Sequence, residues 1–164
     1  MRRLLISITL LASAVLCQAG SPDTSVDRVV VYKSQRKLVL LSNGREVKTF
    51  TVALGAAPNG PKLRQGDHRT PEGTYTLDAR NPNSQYYKSY HISYPSAQDL
   101  AAARKRGLNP GGDIMLHGLP NGYRWVGKAH LLKNWTEGCI AVTDEEMDEI
   151  WSLVPVGTPI DIKP

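Results

Sequence analysis

Residues 28–54 read RVVVYKSQRKLVLLSNGREVKTFTVAL, and this stretch decides the fold class. Arg28–Tyr32 and Lys37–Leu41 are short β-branched and aliphatic runs separated by a few polar residues, the pattern of a hairpin. Ser42-Asn43-Gly44 is a strong turn signal. In Glu46–Leu54, Phe50, Val52 and Leu54 alternate with Thr49, Thr51 and Ala53, the period of two that marks a half-buried strand. An opening built wholly of strands and turns predicts a mainly β domain.

Outward from this stretch, Thr74–Leu77, Tyr90–Tyr94, Asp113–His117, Cys139–Val142 and Pro159–Ile162 read as further strands. Two helices are signalled by their caps. Ser96 with Asp99 forms a capping box that opens a helix through Ala101–Arg106, stopped at Gly107. Thr143 with Glu146 caps a second, Asp144–Leu153, which ends before Pro155. The expected architecture is two packed sheets or a flattened barrel with two peripheral helices. Between strands lies a long irregular loop with Gly55, Gly60, Gly66 and Gly73 interleaved with Pro58, Pro61 and Pro71. It lacks the Gly-Lys-Ser/Thr ending of a phosphate-binding loop, and it carries Lys62, Arg64, Asp67, His68 and Arg69. Loops of this length in compact domains are often functional.

The N-terminus reads as a targeting segment. Arg2 and Arg3 precede the apolar run Leu4–Leu16, and Cys17-Gln18-Ala19 places small residues where a signal peptidase reads, so residues 1–19 are expected to be a secretory signal cleaved after Ala19. The run is shorter than the roughly 20 apolar residues a spanning helix needs. Lipidation at Cys17 is disfavoured by the bulky Leu16 before it. The export signal implies the periplasm or cell envelope. Removing residues 1–19 takes two arginines and lowers the net charge from +5 to +3, 18 basic against 15 acidic residues. Residues 20–164 suit a single domain. Their basic excess is modest and unclustered, which argues against a nucleic-acid binder; an anionic envelope partner such as peptidoglycan, whose stem peptides carry free carboxylates, fits better.

Once residues 1–19 are removed, Cys139 is the sole cysteine in an oxidising compartment, so no internal disulfide forms. It is then either a buried small hydrophobe or a reactive thiol. It sits in Thr136-Glu137-Gly138-Cys139-Ile140, and a histidine sits in Ile114-Met115-Leu116-His117-Gly118, each at the junction of an apolar strand and a glycine-bearing turn. Such junctions hold a side chain rigidly while glycine admits a substrate backbone. A cysteine nucleophile needs a base near neutral pH, and histidine is the natural one. The N–H groups of Gly138 and Cys139 are candidate oxyanion donors. These residues alone leave His117 open as a structural imidazole. His130 is an alternative base without a supporting motif. His91, on a strand, either lines the cleft or caps it. Arg69 and Arg124 are candidates for substrate carboxylates, which guanidinium matches bidentately. Trp125 and Trp135 flank the site in sequence, with core packing as their simpler role.

The order His-Gly, about twenty residues, then Ser/Thr-x-Gly-Cys resembles the L,D-transpeptidase catalytic domain, also called the YkuD domain. The resemblance runs from Val52-Ala53-Leu54-Gly55 through Gly66-Asp67-His68-Arg69-Thr70-Pro71-Glu72-Gly73 and Pro110-Gly111-Gly112-Asp113 to Trp135–Ile140. It implies a β-sandwich of mixed sheets over residues 20–164, with Cys139 as nucleophile, His117 as general base and the main chain around Gly118 orienting the imidazole. Thr136 and Glu137 are expected beside the substrate. By the same resemblance the domain works on peptidoglycan stem peptides in cell-wall biogenesis and cell-shape maintenance, without metal or organic cofactor. It forms a thioester on an L-configured centre, releases the terminal D-residue, and passes the acyl group to an amine as a 3-3 or 1-3 cross-link. If water attacks instead, the outcome is an L,D-carboxypeptidase or endopeptidase. Two positions depart from the family pattern: Glu137 replaces a second histidine before Gly-Cys, and Ala141 replaces an Arg or Asn two residues after the cysteine.

Three rivals compete. A sortase-like enzyme needs an arginine after the cysteine, and none follows Arg124. A zinc site of His117, His130 and Cys139 fits no common ligand spacing. A wall-binding module without activity has no physical need for His117 or Cys139.

Overall fold

The computed structural model describes residues 25–164; the signal-peptide and Cys17 expectations lie outside the described residues. The strands are β1 Arg28–Tyr32, β2 Lys37–Ser42, β3 Arg45–Thr51, β4 Gly73–Ser84, β5 Tyr87–Ile92, β6 Met115–His117, β7 Ile140–Ala141 and β8 Pro159–Lys163. They form one mixed ladder in the order β3-β2-β1-β8-β4-β5-β6-β7. The mixed, mainly β class is therefore as expected, with the strands joined in a single curled half-barrel, the flattened-barrel form of that expectation.

β4 makes that closure. Its first four residues, Gly73 to Thr76, pair antiparallel with β8. From Leu77 onward it pairs with β5, with register shifts between Leu77 and Ala79 and between Asn81 and Ser84. Irregularities of this kind bend a strand and raise its local twist, and here they turn the second half of the ladder over the first. Val29, Val31, Leu38, Leu40, Leu77, Tyr90, Ile92, Leu116, Ile140 and Ile160, all buried, meet between the halves. The closing strand β8 is parallel to β1 and antiparallel to β4.

Both capping boxes form as their residues foretell. Ser96 and Asp99 open α1, Ala97–Lys105, and Thr143 and Glu146 open α2, Asp144–Leu153. α1 buries only Ala103 and is peripheral. α2 buries Met147 and Ile150 completely, each contributing about 2 kcal/mol of apolar burial. A third helical stretch was not expected: Arg124–Leu132 forms two short 3₁₀ turns joined at Gly127 (φ 47°, ψ −137°). It has no side-chain cap at Tyr123, so the signals that revealed α1 and α2 are missing. Among the described residues no helix is long and apolar enough to cross a membrane.

Candidate active site

The second half of the ladder sets His117 and Cys139 at neighbouring strands beside one cleft. β6 and β7 are parallel neighbours with Leu116 opposite Ile140 and His117 opposite Ala141. Cys139 immediately precedes β7, two residues from the partner of His117, so the two side chains are diagonal neighbours on one face. β7 is held on its other side by a bridge between Ala141 and Ala53. Ala141, the departure from the family pattern, is fully buried and does not line the cleft.

His117 is 3 % exposed, and its Nδ1 lies 2.7 Å from the Gly118 carbonyl oxygen. A carbonyl only accepts, so Nδ1 carries the proton and Nε2 keeps its lone pair, the state of a general base. The ring stands between Tyr86, 4.5 Å away between centroids, and Trp135, edge-on at 5.9 Å. Burial pushes the imidazole down to about 4; the Gly118 carbonyl opposes this and His130 adds to it. Cys139 is half-buried. Its sulfur accepts from the Met115 N–H at 3.4 Å and its thiol faces the Asp113 carbonyl oxygen at 3.7 Å. Burial raises the thiol above its ordinary value, with the Met115 amide and Lys62 pulling down and Asp113 and Glu137 pushing up. At neutral pH the resting site thus holds a neutral imidazole and a protonated thiol.

The depressed His117 value has a consequence for stability. Its folded value lies below the unfolded one, so the unfolded chain binds this proton first. Stability from His117 is complete above pH 6.5 and is lost as pH falls through the window from 6.5 to about 4, about 3 kcal/mol in all. His130 is also pushed down, to about 4, by burial and Arg36, and acts in the same direction. Urea midpoints measured from pH 7 to pH 4 are expected to fall across this window, with a shallower fall in His117→Gln.

His117 and Cys139 open onto one cleft of about 650 Å³, whose walls include Lys62, Tyr86, Asp113, Trp135 and Glu137. Among the described residues Lys62 is its one cationic wall residue. The ammonium is nearly buried and bonds Asp67 at 2.8 Å; Asp67, held by Lys62 and the amides of Leu63, Arg64 and Arg69, is drawn down to about 2. Neither arginine proposed from sequence lines the cleft. Arg124 is exposed and paired with Glu145 at 2.8 Å, and the Arg69 guanidinium turns to the Pro61 carbonyl at 3.4 Å. His91 pairs with Asp78 at 2.6 Å, away from the cleft walls. Thr136 lies at the wall, but its hydroxyl is spent within the turn: it donates to the Cys139 carbonyl at 2.7 Å and accepts from the Gly138 N–H at 3.2 Å. The Gly138 amide is thereby committed, and of the two oxyanion donors considered from sequence only that of Cys139 stays available. Glu137 is exposed at the cleft wall.

Trp135, expected in the core, instead forms a cleft wall and separates the two histidines. His130 stacks on it edge-on, accepts its indole N–H at a long 3.4 Å, and lines a different, apolar groove. Among the described residues no three His, Cys, Asp or Glu side chains gather as a metal site. Sequence reasoning missed Lys62 and Tyr86. Lys62 lay within a loop already read as charged; Tyr86 follows β4, whose reach past Leu77 no local signal revealed.

The chain spans about half the length of YafK from Escherichia coli (strain K12), with 28% identity over 147 residues covering 88% of this chain and 49% of that one. Two solved structures share the fold. The helical cell shape determining protein Pgp2 from Campylobacter jejuni (K307A mutant) superposes with a TM-score of 0.65 at 26% identity, covering 87% of this chain and 49% of that chain. Bd1075 from Bdellovibrio bacteriovorus superposes at 0.58 with 28% identity, covering 84% of this chain and 48% of that chain. The profile of the L,D-transpeptidase catalytic domain matches residues 26–162, nearly all of the described chain. The fold, the cleft and this match together make the chain a member of the L,D-transpeptidase catalytic domain (YkuD) family.

Proposed function

We propose that this chain is a cysteine-dependent L,D-transpeptidase of peptidoglycan stem peptides, carried to the envelope by residues 1–19. The observation that carries this reading is the pairing of a histidine whose Nδ1 proton is fixed by Gly118 with a thiol opening on the same cleft. As the Cys139 sulfur attacks the substrate carbonyl, its proton passes to His117 Nε2. The new C–S bond creates a tetrahedral oxyanion, for which the Cys139 N–H is the nearest uncommitted amide considered above. Collapse breaks the C–N bond, His117 returns the proton to the leaving amine, and a thioester remains. An acceptor amine then attacks the thioester, His117 takes its proton, and the thiol leaves with that proton restored. Both groups start neutral, so no ion pair has to be dismantled before attack. Glu137, exposed at the cleft wall, offers a negative charge to the incoming ammonium before its deprotonation.

The test is mass spectrometry of tetrapeptide and tripeptide muropeptides incubated with the purified chain and with Cys139→Ala. A cross-linked dimer that disappears in Cys139→Ala is the expected result, and fragmentation identifies the residues joined. Loss of a terminal residue without dimers makes the chain an L,D-carboxypeptidase acting through the same thioester. Equal product from both proteins removes Cys139 from the chemistry, and product from neither makes the chain a wall-binding module.

A further inference from the structure

The catalytic histidine is oriented by a backbone carbonyl, and the same peptide group is engaged from its other side. The N–H of Leu119 donates to Asp144 Oδ1 at 2.8 Å, while the carbonyl of Gly118 accepts from His117 Nδ1 at 2.7 Å. Gly118 C=O and Leu119 N–H belong to one planar, resonance-coupled amide. We propose that Asp144 is a positioning residue for His117: its carboxylate, acting through the Gly118–Leu119 peptide, strengthens the carbonyl that holds the imidazole and stabilises the imidazolium formed during attack. The inference rests on His117 being the base of the proposed reaction.

Three features show a built contact. Asp144 is 5 % exposed although it is a carboxylate at the start of a surface helix. α2 does not need it as a cap, because Thr143 and Glu146 already satisfy that end. Gly118 makes room for it: a Cβ at that position would lie 2.7 Å from Asp144 Oδ1. A negative charge on the amide N–H draws electron density toward the carbonyl oxygen, and hydrogen bonds linked in this way reinforce each other. The effect grows when the imidazole becomes cationic, so it favours the transition state over the resting enzyme. His130 acts on His117 from beyond Trp135, the Cys139 thiol lines the same cleft as His117, and Asp144 is faced by Arg124, Glu145 and Asp148. All of these stay in place in the variant below.

Asp144→Asn keeps the size of the side chain and an oxygen to accept from Leu119, and removes only the charge. On stem peptide we expect kcat to fall about 10-fold with KM nearly unchanged, the loss of part of one charge-assisted interaction. The acid limb of the kcat profile is expected to move to lower pH, because a less stabilised imidazolium gives up its proton more readily. An unshifted limb with wild-type kcat overturns the proposal, and so does a loss confined to KM. NMR gives a readout independent of substrate: in the His117 titration the imidazole value is expected to fall in Asp144→Asn, with the Nδ1–H resonance moving upfield. An unchanged titration and resonance overturn the coupling even if activity drops through misfolding. If the wild-type chain has no activity on stem peptides, the functional reading fails by itself, while the NMR comparison still decides whether Asp144 acts on His117.

Discussion

His117→Gln is expected to lower kcat on stem peptide by about three orders of magnitude while the chain still folds. A positioned general base contributes typically 10²–10⁴-fold, and this site depends on it more than most cysteine sites. Burial lifts the Cys139 thiol above its ordinary value, so at neutral pH the unaided thiol stays protonated and needs a base. Glutamine cannot take a proton, so the remaining rate should climb about tenfold per pH unit as hydroxide supplies the thiolate, where wild type is flat. Product formation by mass spectrometry from pH 6 to pH 9, with circular dichroism as the folding control, checks both slope and magnitude. A variant with wild-type turnover at neutral pH would transfer the base to another group. His130 is poorly placed for that, since Trp135 stands between it and His117.

The second large effect lies beside Cys139. Gly138 has φ +134°, and a Cβ there would lie 2.7 Å from the Arg69 carbonyl oxygen and 3.1 Å from the Ile114 side chain. Gly138→Ala therefore meets both a backbone conformation that costs about 1–3 kcal/mol outside glycine and a contact with main chain that cannot swing aside. We expect about 3 kcal/mol of destabilisation, seen as a melting temperature lower by about 10 °C. Activity should fall further than stability, because relief of the clash displaces the segment that carries Cys139. The midpoint and the rate below it are measured on the same preparation. A midpoint within 2 °C of wild type would show that the Arg69 loop gives way easily.

Local chemistry explains which parts of this molecule were legible in advance. The hairpin of β1 and β2, the turn at Asn43-Gly44 and the two capping boxes are written within a few residues each, and they form where their residues indicate. The sequence-based strand ends at Leu77, and the residues after it, Asp78-Ala79-Arg80-Asn81-Pro82-Asn83-Ser84, disfavour strands. In the structure the strand continues to Ser84, because pairing with β5 outweighs those preferences. The hidden extension carries Asn81 and Ser84 and leads to Gln85 and Tyr86, a whole wall of the cleft.

The sequence by itself determined the candidate pair, His117 and Cys139, and the strand-and-turn frame that carries them. Reactivity depends on side-chain type, and strands and caps depend on near neighbours, so both are readable along the chain. Which charges line the cleft was decided only by the tertiary structure. Arg69 and Arg124 turn to a carbonyl and to Glu145, while Lys62, clamped by Asp67, is the one cationic wall residue among the described residues. The link from Asp144 to His117 likewise exists only after folding, since it joins residues 27 positions apart through one peptide group. Long-range electrostatics and hydrogen bonding follow distance in space, and that distance is set by the curl of the sheet at β4 and the packing of α2 against β5.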